Sequence, residues 1–343
     1  MTKLPGAIRH CGLGTLSLAM TLIFAGGIRA QEPAVAPGLT TIYTFTGPDG
    51  AYPLGALLRQ PDGGLIGFTG SGGDFDGGTV FQLKPPGAVG GAWSETVLHS
   101  FGLPPDGEYI PFGTADGGVK AGRQGRLYGA TDGGGTGNAG TVFQLTPPSN
   151  PGEAWSESVL YNFSGFADGA LPESTLVVRE GSPIYGTTFT GGALTCIIGG
   201  CGTFFKLQPP AASAGEWTET VVLDFGSPSF AAYGPYGPLL RAPEGSIYGI
   251  SYGPAAGAVF QLKPPAAAGD AWTGIVIHSF GESPGDGTFP EGLSFGPVGV
   301  LYGTTNSGGD FGQGTVYSLT PPSEPGGAWS EASLTAALNR LGR

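Results

Sequence analysis

One hexapeptide, met five times along the chain, constrains the fold more than any other feature. It reads Gly-Thr-Val-Phe-Gln-Leu at 78–83 and again at 140–145, and Gly-Thr-Phe-Phe-Lys-Leu at 202–207. The last two copies are Gly-Ala-Val-Phe-Gln-Leu at 257–262 and Gly-Thr-Val-Tyr-Ser-Leu at 314–319. A Pro-Pro pair follows every copy. A tryptophan comes next, at 93, 155, 217, 272 and 329, with intervals of 62, 62, 55 and 57 residues. Upstream of each copy stands Leu65-Ile66-Gly67, Leu127-Tyr128-Gly129, Ile184-Tyr185-Gly186, Ile247-Tyr248-Gly249 or Leu301-Tyr302-Gly303. Before that lies a proline-led apolar run such as Pro53-Leu54-Gly55-Ala56-Leu57-Leu58 or Pro238-Leu239-Leu240. Each unit therefore offers four short apolar segments bounded by Gly, Pro and Asp, which is the pattern of strands and not of helices.

Four strands per period predict an all-β chain: a five-bladed β-propeller of four-stranded antiparallel blades over residues 39–338, each blade burying its faces on its neighbours. A solenoid of stacked units is the other architecture with this periodicity. Thr40 to Phe45 repeats the second half of the Trp-led strand seen in Val97-Leu98-His99-Ser100-Phe101, and Trp329 to Leu338 is a degenerate copy of that strand. Either end is placed to complete the last blade, and a ring joined in this way exposes no sheet edge. With Gly 67 and Pro 31 the chain approaches the composition of disordered segments, but 40% hydrophobic and 11% aromatic residues supply a core.

Lys3 and Arg9 precede an apolar stretch from Gly12 to Gly27, and Ile28-Arg29-Ala30 follows, the layout of a secretory signal peptide over residues 1–30. No later segment reaches the roughly 20 apolar residues of a membrane span. Removal of residues 1–30 leaves 11 Lys plus Arg against 26 Asp plus Glu, a net charge of −15. That charge excludes nucleic acid as a partner, because phosphate binding needs a basic surface. It leaves cations, glycans and proteins open, and it suits an exported, soluble monomer. Cys196 and Cys201 are expected to form a disulfide in an oxidising compartment.

Leu-Tyr-Gly-Thr-Thr at 301–305, a Gly-Gly loop, Gly-Thr-Val-(Phe/Tyr), Trp-Ser-Glu and Asp-Gly-x-x-Pro together resemble the GloVer tandem-repeat family of exported bacterial proteins. The resemblance covers roughly residues 39–335. It implies a propeller-like fold with no assigned activity and, often, a surface-anchoring signal at the end. Ala336 to Arg343 shows no sorting motif, so release into the periplasm or medium is the expectation.

If the proline-led strand is innermost, alternation of the connections collects two kinds of loop on one face. One kind carries Asp49, Asp106, Asp168 and Asp286, each followed by glycine and standing shortly before a proline; the other is Gly-rich and carries Asp74, Asp76, Asp132 and Asp310. These eight aspartates are the candidate ligand-binding residues. They could ring a cation such as Ca²⁺, which takes six to eight oxygens. An Asp-Gly step also caps its own turn without any ligand. The fourth unit has Phe230 to Pro235 in place of the motif.

The tryptophans offer flat faces for sugar rings, but their fixed place at a strand start suits packing under the Pro-Pro turn. His99 and His278 are aligned with Tyr161 and Asp224 of other units, so neither a Ser-His-Asp set nor a metal-ligand set is expected. A propeller glycoside hydrolase or lyase would need carboxylates on the inner strands. Asp116 and Glu180, with Glu173 and Glu291 beside the initiating prolines, are the available ones. No catalytic residue is assigned, and the reading is a noncatalytic scaffold that binds a glycan or a protein through its loop face.

Overall fold

A computed structural model of the chain describes residues 40–333, apart from 89, 103–104, 109–117, 151, 180, 197–198, 212–214, 268 and 325. The expected signal segment lies outside the described residues, and so do Asp116 and Glu180. The fold is a β-propeller of five blades, each an antiparallel sheet whose strands follow one another in sequence. The first blade is Ala51–Arg59, Leu65–Ser71, Thr79–Lys84 and Ser94–Ser100. The second is Lys120–Ala121, Leu127–Thr131, Thr141–Thr146 and Ser156–Asn162. In the third blade, Ile184–Thr188, Thr203–Gln208 and Thr218–Asp224 are full strands. Its inner edge shrinks to two bridges, in which Ala170 and Thr190 exchange backbone hydrogen bonds of 3.0 and 3.1 Å and Val177 and Tyr185 exchange bonds of 2.8 and 3.1 Å. The fourth blade is Tyr233–Arg241, Ile247–Gly253, Ala258–Lys263 and Thr273–Ser279, and the fifth is Gly287–Phe295, Leu301–Gly308, Val316–Thr320 and Ser330–Ser333.

The repeated residues explain why this sheet forms. Gly67, Gly129, Gly186, Gly249 and Gly303 lie directly across from Phe81, Phe143, Phe205, Phe260 and Tyr317. A Cβ at these glycines would come within 2.3–2.6 Å of the facing ring, so each aromatic ring covers the gap its glycine leaves. The threonine at the second place of the hexapeptide pairs with one on the neighbouring strand. Thr69–Thr79, Thr131–Thr141, Thr188–Thr203 and Thr305–Thr315 are each 2.9 Å apart. These hydroxyls satisfy one another where no water reaches them.

Blades are joined by a recurring aromatic contact. Phe101 meets Phe143 at 5.0 Å, Phe163 meets Phe205 at 5.2 Å, Phe225 meets Phe260 at 5.2 Å and Phe280 meets Tyr317 at 4.9 Å. Four core clusters follow, one for each pair of consecutive blades. Four of the five tryptophans, Trp155, Trp217, Trp272 and Trp329, pack against these junctions. Trp272 lies 5.4 Å from Tyr185, and Trp329 lies 6.0 Å from Tyr248, each in the preceding blade. They therefore pack sideways against a neighbouring blade, where the sequence suggested packing under the Pro-Pro turn.

The two ends of the series are unlike. Phe45 sits 4.8 Å from Phe81 and supplies the junction ring on the first blade's outer side. On the fifth blade, Val316 is 45% exposed where Val80, Val142, Phe204 and Val259 are fully buried. Leu57 of the first inner strand is also 45% exposed. Among the described residues no core cluster joins the fifth blade to the first.

Phe163 is fully buried at the second junction. Phe163→Ala is expected to cost about 3–5 kcal/mol, as other buried Phe truncations do. Urea unfolding monitored by tryptophan fluorescence should show the lowered midpoint.

Candidate functional site

The two loop types do share one face, because they are hydrogen-bonded to each other. The N–H groups of Gly73, Gly135, Gly192 and Gly309 donate to the carbonyls of Gly47, Asp106, Phe166 and Asp286 at 3.0, 2.8, 2.9 and 2.7 Å. The glycine of each Asp-Gly step rests on the buried threonine pair. A Cβ at Gly50, Gly107, Gly169 or Gly287 would lie 2.2–2.5 Å from a threonine side chain, so no larger residue fits without a shift. This contact fixes where the neighbouring aspartate stands.

Each of those aspartates is engaged by its own loop. Backbone N–H groups of Thr46, Gly102, Ser164 and Gly281 donate to the carboxylates of Asp49, Asp106, Asp168 and Asp286 at 2.7, 3.2, 2.8 and 2.9 Å. The second partner comes from the end of the preceding outer strand. Tyr43 Oη donates to Asp49 at 2.5 Å and Tyr161 Oη donates to Asp168 at 3.0 Å. His99 Nε2 lies 3.2 Å from Asp106, and His278 Nε2 lies 3.6 Å from Asp286. Asp76 caps its Gly-rich loop through the Gly72 N–H, a role that Asn138 fills in the next unit. Asp74 and Asp310 are exposed. Among the described residues, no three of the eight aspartates come together as donors for one ion.

Strand register corrects one alignment made from sequence. His99 pairs with Val80 and His278 with Val259, and the matching pairs are Tyr161 with Val142 and Leu223 with Phe204. Leu223, not Asp224, is therefore the equivalent of the histidines. Asp224 corresponds to Ser100 and Asn162, and like them it accepts a loop N–H, here from Ala193 at 2.8 Å.

A third residue type joins these pairs from the next outer strand. Glu95 stands beside Asp49, Glu157 beside Asp106, Glu219 beside Asp168 and Glu331 beside Asp286. Burial, helped by the adjacent aspartate, pushes Glu95, Glu157 and Glu219 each up to about 7. Buried Oε1 atoms of all three lack a hydrogen-bond partner among the described residues. The fourth unit replaces the whole set: by register Leu223, Ala231 and Gly274 stand where the others have Tyr or His, Asp and Glu. The Phe230 ring fills the space a side chain at 274 would take. His99, Asp106 and Glu157 bring donor atoms within 4.8 Å of one another, a grouping not expected from the sequence.

Near the inner strands, burial followed by the charge of Asp132 pushes Glu173 up to about 8. Burial likewise pushes Asp132 up to about 6, and its Oδ1 has no partner among the described residues. Glu291 accepts a hydrogen bond from Asn306 at 3.3 Å.

Sequence reasoning missed the aromatic character of this face. Tyr52, Phe166 and Phe311 are 75, 78 and 80% exposed, and Phe75, Tyr252 and Phe289 are exposed as well. All six stand in or beside the Asp-Gly turns and Gly-rich loops. Around Tyr252 they become continuous, with Phe189 at 6.3 Å, Tyr233 at 6.4 Å and Phe289 at 5.8 Å. Tyr52, Leu171 and Phe289, each directly before a proline, hold φ of 55, 55 and 56°. A bulky residue there is strained, and such strain gathers at functional positions.

The family model described as Gloeobacter/Verrucomicrobia repeat matches residues 30–198. The later units carry the hexapeptide, the Pro-Pro pair and the tryptophan in the same order and build antiparallel blades as well. No curated protein matches the chain. In the third unit the Gly-rich loop is enlarged, and the Cys196–Cys201 disulfide closes it. Cys201 is buried in the core between the third and fourth blades, so the bond anchors the loop to that junction.

The buried glutamates of the repeats give a pH dependence. Glu95 and Glu219 bind their protons more tightly folded than unfolded. Their contribution is complete below the ordinary value of 4.5 and is lost as pH rises through about 7. Thermal unfolding midpoints are expected to fall between about pH 5 and pH 8. A Glu95→Gln/Glu219→Gln variant should show a flatter profile with a higher midpoint at the alkaline end.

Proposed function

We propose that the chain is an exported, noncatalytic repeat scaffold that binds a glycan or a protein through the loop face carrying the Asp-Gly turns. The observation that carries this reading is the set of exposed aromatic side chains on that face, continuous around Tyr252 and Phe289. Exposed apolar patches of this kind mark binding surfaces. Flat rings beside carboxylates and glycine-rich backbone suit the apolar faces and hydroxyls of sugars. The disulfide and the signal-like first 30 residues support export. Among the described residues no helix is long and apolar enough to cross a membrane.

A glycan array probed with labelled protein should identify a carbohydrate class. Tyr52→Ala, Tyr252→Ala and Phe289→Ala, combined, are expected to weaken its binding by at least about tenfold, since each exposed ring contributes on the order of 1 kcal/mol. Thermal stability should change little, because none of the three is in a core cluster. Binding to an unrelated protein with no carbohydrate captured would favour the protein arm of the reading. Equal affinity of variant and wild type for the captured ligand would remove the face from consideration.

A propeller glycoside hydrolase or lyase is the second reading, and Glu173 favours it. A carboxyl held up to about 8 beside a second carboxylate is how a general acid is kept protonated at neutral pH. Release of reducing sugar from the array-positive polysaccharide, abolished in Glu173→Gln, is the expected outcome of that reading. Binding without turnover returns the chain to the scaffold.

A further inference from the structure

At two junctions the partner of the Asp-Gly carboxylate is an imidazole, and this changes what the junction can bind. A tyrosine there donates its proton to the aspartate and is no ligand. A neutral imidazole nitrogen is. We propose that His99, Asp106 and Glu157 form a zinc site that ties the first blade to the second, and that the His278–Asp286 pair forms a two-ligand counterpart between the fourth and fifth.

In the first set, one nitrogen and two carboxylate oxygens lie within 4.8 Å of one another. The His–Asp separations of 3.2 and 3.6 Å at the two sites bracket the spacing of about 3.3 Å between ligands of a tetrahedral zinc with bonds near 2.0–2.1 Å. The second set shows a lack that a cation would fill. Only 6% of the Asp286 side chain is exposed, yet its Oδ1 has no hydrogen-bond partner among the described residues. His278 Nε2, 3.6 Å away, is without a partner among the described residues too. Glu157 Oε1 is likewise buried and unpartnered in the first set. One ion at each place satisfies these atoms together, held by three side chains at the first and by His278 and Asp286 at the second, with water completing its shell.

The donor chemistry selects the metal. Imidazole with carboxylates suits zinc and its transition-metal neighbours, whereas calcium takes oxygen ligands. The other junctions act as internal controls. Two carry Tyr43 and Tyr161 in the histidine position, and the fourth unit fills the same space with Leu223 and Phe230. The first set draws on two neighbouring blades and the loop between them, so the ion would clamp a blade junction.

The test uses the full folded chain, stripped with chelator, exchanged into buffer at low micromolar free zinc, desalted and measured for bound metal. Wild type is expected to retain two zinc ions per chain. His99→Tyr and His278→Tyr should each retain one, and the double variant none; tyrosine is the chain's own residue at this place, and circular dichroism checks the fold. Zinc should raise the unfolding temperature of wild type and leave that of the double variant unchanged, while calcium does neither. If the double variant does not fold, Glu157→Gln should lose one ion. Wild type that retains no zinc, or a double variant that retains as much as wild type, would overturn the proposal. Loss of a single ion in His99→Tyr alone would overturn the second site and keep the first.

Discussion

A four-stranded blade is too thin to bury either of its own faces, and everything in this protein follows from the need to cover them with the next blade. The covering unit is one aromatic pair, a ring at the end of an outer strand laid against the ring of the neighbour's third strand, as in Phe163 against Phe205. Because the second ring also covers a glycine across its sheet, the same side chain closes a gap inside its blade and meets the adjacent one. Local strand pairing and long-range blade packing thus agree on a single residue, which is the consistency that lets repeats specify one arrangement.

The Asp-Gly turn sits at the crossing of fold and surface. Its glycine is held by the buried threonine pair and its aspartate by backbone N–H groups and by a phenol or imidazole. The residues immediately after it, Tyr52 and Phe289, are thereby placed in an outward, strained conformation. A rigid support with adaptable tips is the arrangement by which loops carry recognition. The aspartates themselves, which invite attention as ligands, serve mainly to hold that support.

The number of blades, their strand order and the face shared by the loops were legible because the signals are local and repeated: a glycine before a strand, a proline pair after it, a tryptophan beyond. What escaped depends on contacts between units. Glu157 is ordinary in its own Trp-Ser-Glu setting, and only the fold brings it to His99 and Asp106 of the preceding turn of the repeat. Leu223 hid the register of its strand because it breaks the Tyr/His pattern, and the acidic Asp224 next to it looked the better match. The register shift within each outer pair adds to this, since it interrupts the alternation that a sequence alignment relies on. The exposed phenylalanines left no pattern, being single residues in glycine-rich loops.

The trio of the junction, an outer-strand Tyr or His, a loop Asp and the next outer strand's Glu, is assembled from two successive blades. In the fourth unit all three positions became apolar together, with Phe230 taking the room that a side chain at 274 would need. A blade transplanted alone would therefore arrive with half of one trio and half of another. The exchangeable module of this architecture is staggered against the visible repeat: it runs from the middle of one outer strand to the middle of the next, and duplications that respect that offset are the ones that leave every junction matched.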